Sequence, residues 1–91
     1  MFTFEWDAEK AASNLRKHRV SFDEAVTVFG DPQAVTFSDT DHSGSEDRSR
    51  TYGLSREGRL LVVVHTERPS NVRIISARKA TRHEQSNYTE G

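Results

Sequence analysis

The stretch Leu60-Leu61-Val62-Val63-Val64 constrains this chain more than any other. Five consecutive aliphatic residues, three of them β-branched, suit a strand and are far too few to span a bilayer. Alternation along a strand sends Val62 and Val64 to one side and Leu61 and Val63 to the other. Ile74 and Ile75 in "NVRIISARK" divide in the same way. Strands that are apolar on both faces belong in the middle of a sheet covered, at least in part, on both sides. With 91 residues there is no room for a second core, so this sheet must organise a single domain over residues 1–91.

The remaining elements follow from local signals. "FTFEW" alternates Phe2, Phe4 and Trp6 against Thr3 and Glu5, the pattern of a strand. Asp7 is an N-cap for a helix running to about His18, with Ala8, Ala11, Ala12 and Leu15 on one face. In "VSFDEAVTVFGDP", Ser21 and Glu24 form a capping box and Val20 staples onto Ala25. Phe22, Ala25, Val26 and Phe29 make the apolar stripe of this second helix, and Gly30-Asp31-Pro32 ends it. A short strand over 34–37 leads into "SDTDHSGSED", a polar loop with four acids and no base. "RSRTYGLS" pairs with "RLLVVVHTE" through a turn at 55–58, and "NVRIISARK" follows a turn at 69–71, giving an antiparallel meander. Thr81 and Glu84 form a second capping box, opening a short polar C-terminal helix. The predicted fold class is α+β: an N-terminal strand, two helices, a small antiparallel sheet and a terminal helix.

Composition narrows the chemistry. There is no cysteine, so disulfides and thiolate catalysis are excluded. "MFTFEWD" lacks a basic n-region and meets Glu5 at once, which is not a signal peptide, so a cytoplasmic protein is expected. The net charge of −1 conceals an asymmetry. Residues 1–47 hold four Lys/Arg against ten Asp/Glu, and residues 48–91 hold nine against four. The halves can simply attract one another, or the basic one can present a face that concentrates a polyanion.

The basic residues gather at the end of the last strand. Alternation places Val72, Ile74, Ser76 and Arg78 on one face and Arg73, Ile75, Ala77 and Lys79 on the other. Thr81 then caps a helix with Arg82 and His83 in its first turn. Cations are unfavourable there on their own, but a helix start with free N–H groups and nearby Arg or Lys can hold a phosphate. Either Arg82 pairs with Glu84 while Arg78 snorkels, or Arg78, Lys79, Arg82 and His83 form an anion site. In "NLRKHR", the helix dipole already accounts for Arg16, Lys17, His18 and Arg19. His65 is either a structural histidine at a sheet end or a proton-transfer group. His42 with Asp39 and Asp41 is a weak metal-ligand pattern in a flexible loop, so no metal is expected. There is no glycine-rich phosphate loop and no nucleophile elbow, and no cofactor is expected. An arginine cluster can stabilise the phosphorane formed when RNA is cleaved. Arginine is a poor proton carrier, which leaves His65, His83, Lys79, Tyr88 or water for that task.

"FEWDAEKAASNLRKHRVSFDEAVTVFGDP", "DHS", "GRLLVVVHTER" and "RIISARKATRHEQSNY", in that order, resemble the BrnT-type toxins of bacterial type II toxin–antitoxin systems, from Phe4 to about Tyr88. The resemblance implies a RelE-like fold and a metal-independent endoribonuclease that arrests growth by cutting RNA. It also implies a BrnA-type ribbon-helix-helix antitoxin, with two toxins on an antitoxin dimer that represses its own operon. Operator DNA is then reached only through the antitoxin. Carried over by position, Arg73, Arg78, Lys79 and Arg82, with His83, are the RNA-holding residues. Arg78, Lys79 and Arg82 are the catalytic candidates, with His65 and Tyr88 as helpers. Arg19 stands where the family usually has Gly, at a position suited to a left-handed residue, where an Arg costs about 1 kcal/mol. A second reading is a non-catalytic basic module that binds a partner protein or RNA without cutting it.

Overall fold

The two doubly apolar strands do occupy the interior of a five-stranded sheet. The computed structural model describes residues 3–39 and 48–90. Its elements are β1 (Thr3–Glu5), α1 (Ala8–His18), α2 (Phe22–Thr27), β2 (Val35–Asp39), β3 (Arg48–Leu54), β4 (Leu60–Arg68), β5 (Asn71–Lys79) and α3 (Gln85–Glu90). Sheet order is β1-β5-β4-β3-β2. β2 to β5 form the expected meander, lengthened by one strand. β1 departs from the antiparallel prediction: it joins β5 in parallel, which makes the sheet mixed. Phe2 and the loop residues Asp41 and His42 lie outside the described residues.

α1 and α2 cover one face of this sheet. Val20, Phe22, Ala25 and Val28 pack onto Leu61, Val63, Val72, Ile74 and Ala77, with Phe4, Trp6 and Phe29 closing the margin. The second helix tightens into a 3-10 turn at Val28–Gly30, which lies directly on β3. Gly53 permits that approach, since a Cβ there would stand 2.7 Å from Val28 Cγ1. Asp7 caps α1 through the amides of Glu9 and Lys10. Ser21 caps α2 through the amide of Glu24. The Glu24 carboxylate does not complete the predicted box. It accepts from Ser55 Oγ at 2.7 Å and from Arg59 Nε at 2.9 Å, with a further bond from Arg59 Nη2, and so ties α2 to the β3–β4 turn.

Two details set the geometry of β5. Its pairing with β4 runs Val64↔Ser76 and then His65↔Ile74, leaving Ile75 as an extra residue in a β-bulge. Strict alternation therefore fails from this point. Val72, Ile74 and Ala77 all enter the core, whereas Arg73, Ser76 and Arg78 share the opposite face. The expected separation of Arg73 from Arg78 is thus corrected, and Lys79 goes to the helix side with its partner Leu61.

The second detail concerns the outer edge of β5. β1 pairs only with residues 71–73, so the strand beyond would leave buried backbone groups unpaired. Asn14 of α1 fills the gap. Its Oδ1 accepts from the Ala77 amide at 3.1 Å, and its Nδ2 donates to the Ala77 carbonyl at 2.7 Å and the Val20 carbonyl at 2.9 Å. One side-chain amide acts here as a piece of neighbouring strand. Asn14→Leu should lower stability by about 2–4 kcal/mol, because it orphans three buried backbone groups; urea unfolding measures the loss.

After α1 the chain turns at Arg19, which adopts φ 59° and ψ 31°, its amide bonded to the Leu15 carbonyl at 3.0 Å. This is the left-handed conformation expected at a glycine-favouring position. Arg19→Gly removes roughly 1–2 kcal/mol of strain and adds roughly 0.5–1 kcal/mol of unfolded-state entropy. A net gain of up to about 1 kcal/mol, read as a higher denaturation midpoint, is the expected outcome.

Candidate functional site

On the side away from α1 and α2, the middle of the sheet forms three cross-strand rows. The first holds Asp39, Arg48, Thr66 and Arg73, with Glu5 beyond; the second holds Phe37, Arg50, Val64 and Ser76; the third holds Val35, Tyr52, Val62 and Arg78. Four guanidinium groups thus rise from β3 and β5 on either side of β4, about 10 Å apart across the sheet. Arg73 is paired with Glu5 at 2.7 Å, and this bond is the main cause of a lowered Glu5 pKa. Arg48 and Arg50 form no ion pair with any described residue. Beneath them, Arg50 Nε and Thr66 Oγ1 are buried and have no hydrogen-bond partner. Phe37 adds an exposed ring beside Arg50, packed edge-on against buried Tyr52 with centroids 5.7 Å apart.

The chain after β5 turns back over one end of this face. Arg78 makes a two-pronged pair with Glu84, Nη1 to Oε1 at 2.7 Å and Nη2 to Oε2 at 2.8 Å. Glu84 Oε1 also accepts the Thr81 amide at 3.0 Å, while the Glu84 amide donates to Thr81 Oγ1 at 3.2 Å, so the predicted capping box is complete. Arg78 above all, and the Thr81 amide after it, hold the Glu84 pKa down to about 2. The regular helix begins only at Gln85, which leaves Arg82 and His83 exposed in the preceding turn. The proposed anion site at the helix start is therefore filled by the chain's own carboxylate. Arg78 and Lys79 face opposite sides of the sheet, so the four basic residues do not form one cluster around that carboxylate.

The two expected helpers are committed elsewhere. Tyr88 donates its hydroxyl to Asp31 Oδ2 at 2.8 Å, and this bond raises its pKa. The same carboxylate accepts the Leu54 and Gln33 amides at 2.8 and 2.9 Å, so Asp31 joins three segments. His65 is 0% exposed and lies on the helix side of the sheet, stacked edge-on against Phe29. Its Nε2 is 2.7 Å from Thr51 Oγ1, which lies 2.7 Å from Thr36 Oγ1, while Nδ1 has no partner. A proton carrier in that position has no path to a substrate on the arginine face. Burial lowers its pKa and keeps the ring neutral. Among the described residues, no cluster of His, Cys, Asp or Glu could hold a metal, and no helix is long and apolar enough to cross a membrane.

Arg48 and Arg50 escaped the sequence reading, although "RSR" carried the signal: two bases at i and i+2 of a strand share a face. The buried His65 makes a separate expectation. The unfolded chain binds its proton near pH 6.5 and the folded chain only below that. Stability should thus be full well above pH 6.5 and fall as the pH drops below that value towards the lowered folded-state pKa. His65→Gln should flatten that slope in pH-dependent thermal melts while lowering the plateau.

A family model described as "Ribonuclease toxin, BrnT, of type II toxin-antitoxin system" matches residues 6–84. Among solved structures, the ribonuclease toxin BrnT of Brucella abortus, at 1.1 Å resolution, superposes with a TM-score of 0.68 at 20% identity. The alignment covers 90% of this chain and 100% of that one, and at such identity the likeness is one of fold. The curated proteins contain no significant match.

Proposed function

Because the chain belongs to the BrnT family of ribonuclease toxins of type II toxin–antitoxin systems, we propose that the arginine-lined sheet face takes up single-stranded RNA and cleaves it internally. The observation that carries this reading is the convergence of Arg48, Arg50, Arg73 and Arg78 on one face, above the unpartnered Arg50 Nε and Thr66 Oγ1. Guanidinium forks match phosphate oxygens and stabilise charge that develops on a phosphorane. Phe37 supplies a ring on which a base can stack. The guanidinium, hydroxyl and aromatic groups of this face suit phosphate, its carboxylates Glu5 and Glu84 are taken up in ion pairs, and cleavage through the RNA 2′-hydroxyl without metal is consistent with that set.

Arg78 plays its part only when phosphate competes with Glu84 for its fork. Lys79, Arg82 and His83 then serve at most as outer phosphate contacts, and Tyr88 positions the terminal segment. The partner is a BrnA-type ribbon-helix-helix antitoxin, arranged as two toxins on an antitoxin dimer that represses the operon. The working compartment is the cytoplasm, where the RNA is. One observation favours the second reading, RNA binding without cleavage. Glu5 and Glu84 on this face are held in ion pairs with lowered pKa values, which poorly suits them to carry a proton near pH 7.

Purified chain incubated with RNA separates the two. Cleavage, with kcat/KM reduced about tenfold or more in Arg50→Ala and in Arg48→Ala and nearly unchanged in Lys79→Ala, supports the first. Each lost phosphate contact should also reduce the slope of log affinity against log salt by about 0.7. RNA that is bound with that salt dependence yet stays intact, and a chain that leaves growth unaffected, establish the second.

A further inference from the structure

Across the sheet from the arginine face, α1 keeps an uncovered outer surface. Leu15 stands at its centre, 48% exposed. A shallow, largely apolar groove runs between α1 and the start of α2, lined by Trp6, Ala11, Ala12, Leu15, Ser21 and Phe22 together with Asp23. Ala11, Ala12 and Ser21 are small enough for another helix to approach closely. The groove continues past Leu15 between Arg16 and Arg19.

Its basic end is not explained by the fold. Arg16, Lys17 and Arg19 are exposed, and their side chains make no hydrogen bond or ion pair with any described residue. The helix dipole rewards the cations of the last turn. It rewards Arg19 at the C-cap as well, but any nearby cation would serve that purpose, and Arg19 is the one described non-glycine residue with positive φ. A strained arginine whose guanidinium binds no described residue points to a use outside the chain.

We infer that this groove docks an acidic amphipathic helix of the antitoxin, an apolar anchor resting on Leu15 and Trp6 and carboxylates meeting Arg16 and Arg19. The inference rests on the family assignment for the existence of an antitoxin, and on Leu15 and Arg19 for its place. Docking here leaves the arginine face to a separate segment of the partner, so capture and inhibition are separable steps. Rim charges of this kind speed encounter and set partner choice, with a marked salt dependence.

The test measures affinity of the separately purified antitoxin of the same operon for the wild-type chain and for Arg19→Gly, Leu15→Glu and the control Leu54→Glu, which alters an exposed leucine elsewhere. Arg19→Gly should weaken the complex about fivefold and reduce its salt dependence while raising the melting temperature of the free chain. A purely structural Arg19 cannot produce that combination. Leu15→Glu should weaken binding about tenfold or more, with ribonuclease activity retained, and hydrogen exchange should show α1 protected in the wild-type complex. A complex that forms normally with both variants overturns the docking site and leaves the family assignment intact. A wild-type chain that binds no antitoxin overturns the partner reading itself. Self-association of the chain that Leu15→Glu abolishes would assign the groove to a second copy instead.

Discussion

Between Val64↔Ser76 and His65↔Ile74, β5 carries one residue more than β4 requires, and that surplus decides which side of the sheet every later residue faces. With strict alternation Arg73 and Arg78 would point in opposite directions and Ala77 would leave the core. With the bulge, Ala77 is fully buried under α1, and both arginines stand with Arg48 and Arg50 on the face free of α1 and α2. Asn14 holds this arrangement from the outside. Its amide occupies both polar groups of Ala77, two residues past the bulge, where no strand is available. The backbone register of β5 is thereby gripped on both edges, by β4 and by one side chain.

The charge asymmetry along the chain has two outcomes in the fold. Part of it is spent between the halves: Glu5 meets Arg73 and Glu24 meets Arg59. Another basic residue, Arg78, is answered from its own half by Glu84. Arg48 and Arg50 receive no such answer from the described residues, and neither do Arg16, Lys17 and Arg19 on the far side. Two unneutralised basic regions therefore lie on opposite layers of one small domain. That is the arrangement expected of a protein that must touch an anionic substrate and a separate acidic partner.

Those elements whose signals are local were legible in the sequence. The doubly apolar strands sit in the sheet interior, Asp7 and Ser21 cap their helices, and Thr81 with Glu84 closes its box, because each depends on residues a few positions apart. The α+β class followed from their order. What could not be read were events that need the third dimension. A bulge leaves no mark in composition, so the faces of β5 were assigned one residue out of phase. β1 joins β5 across nearly the whole chain, and no local pattern announces a parallel partner. Glu84 looked like a helix cap and proved also to be the counter-ion of Arg78. His65 could be read as a structural histidine or as a proton carrier, and only the fold shows Phe29 and the helix layer closing over it.

The hydroxyl row beneath that layer has one more consequence. A neutral imidazole has a single N–H, and a buried donor without a partner costs more than a bare lone pair. Since Nδ1 of His65 faces no partner, the hydrogen belongs on Nε2, which donates to Thr51. Thr51 must then pass its own hydrogen to Thr36, and Thr36 must direct its hydrogen outward from the edge strand β2. The tautomer of one core residue thus gives polarity to a line of hydroxyls running from β4 to the rim of the sheet. It leaves the edge with an O–H whose hydrogen is free for an outside acceptor.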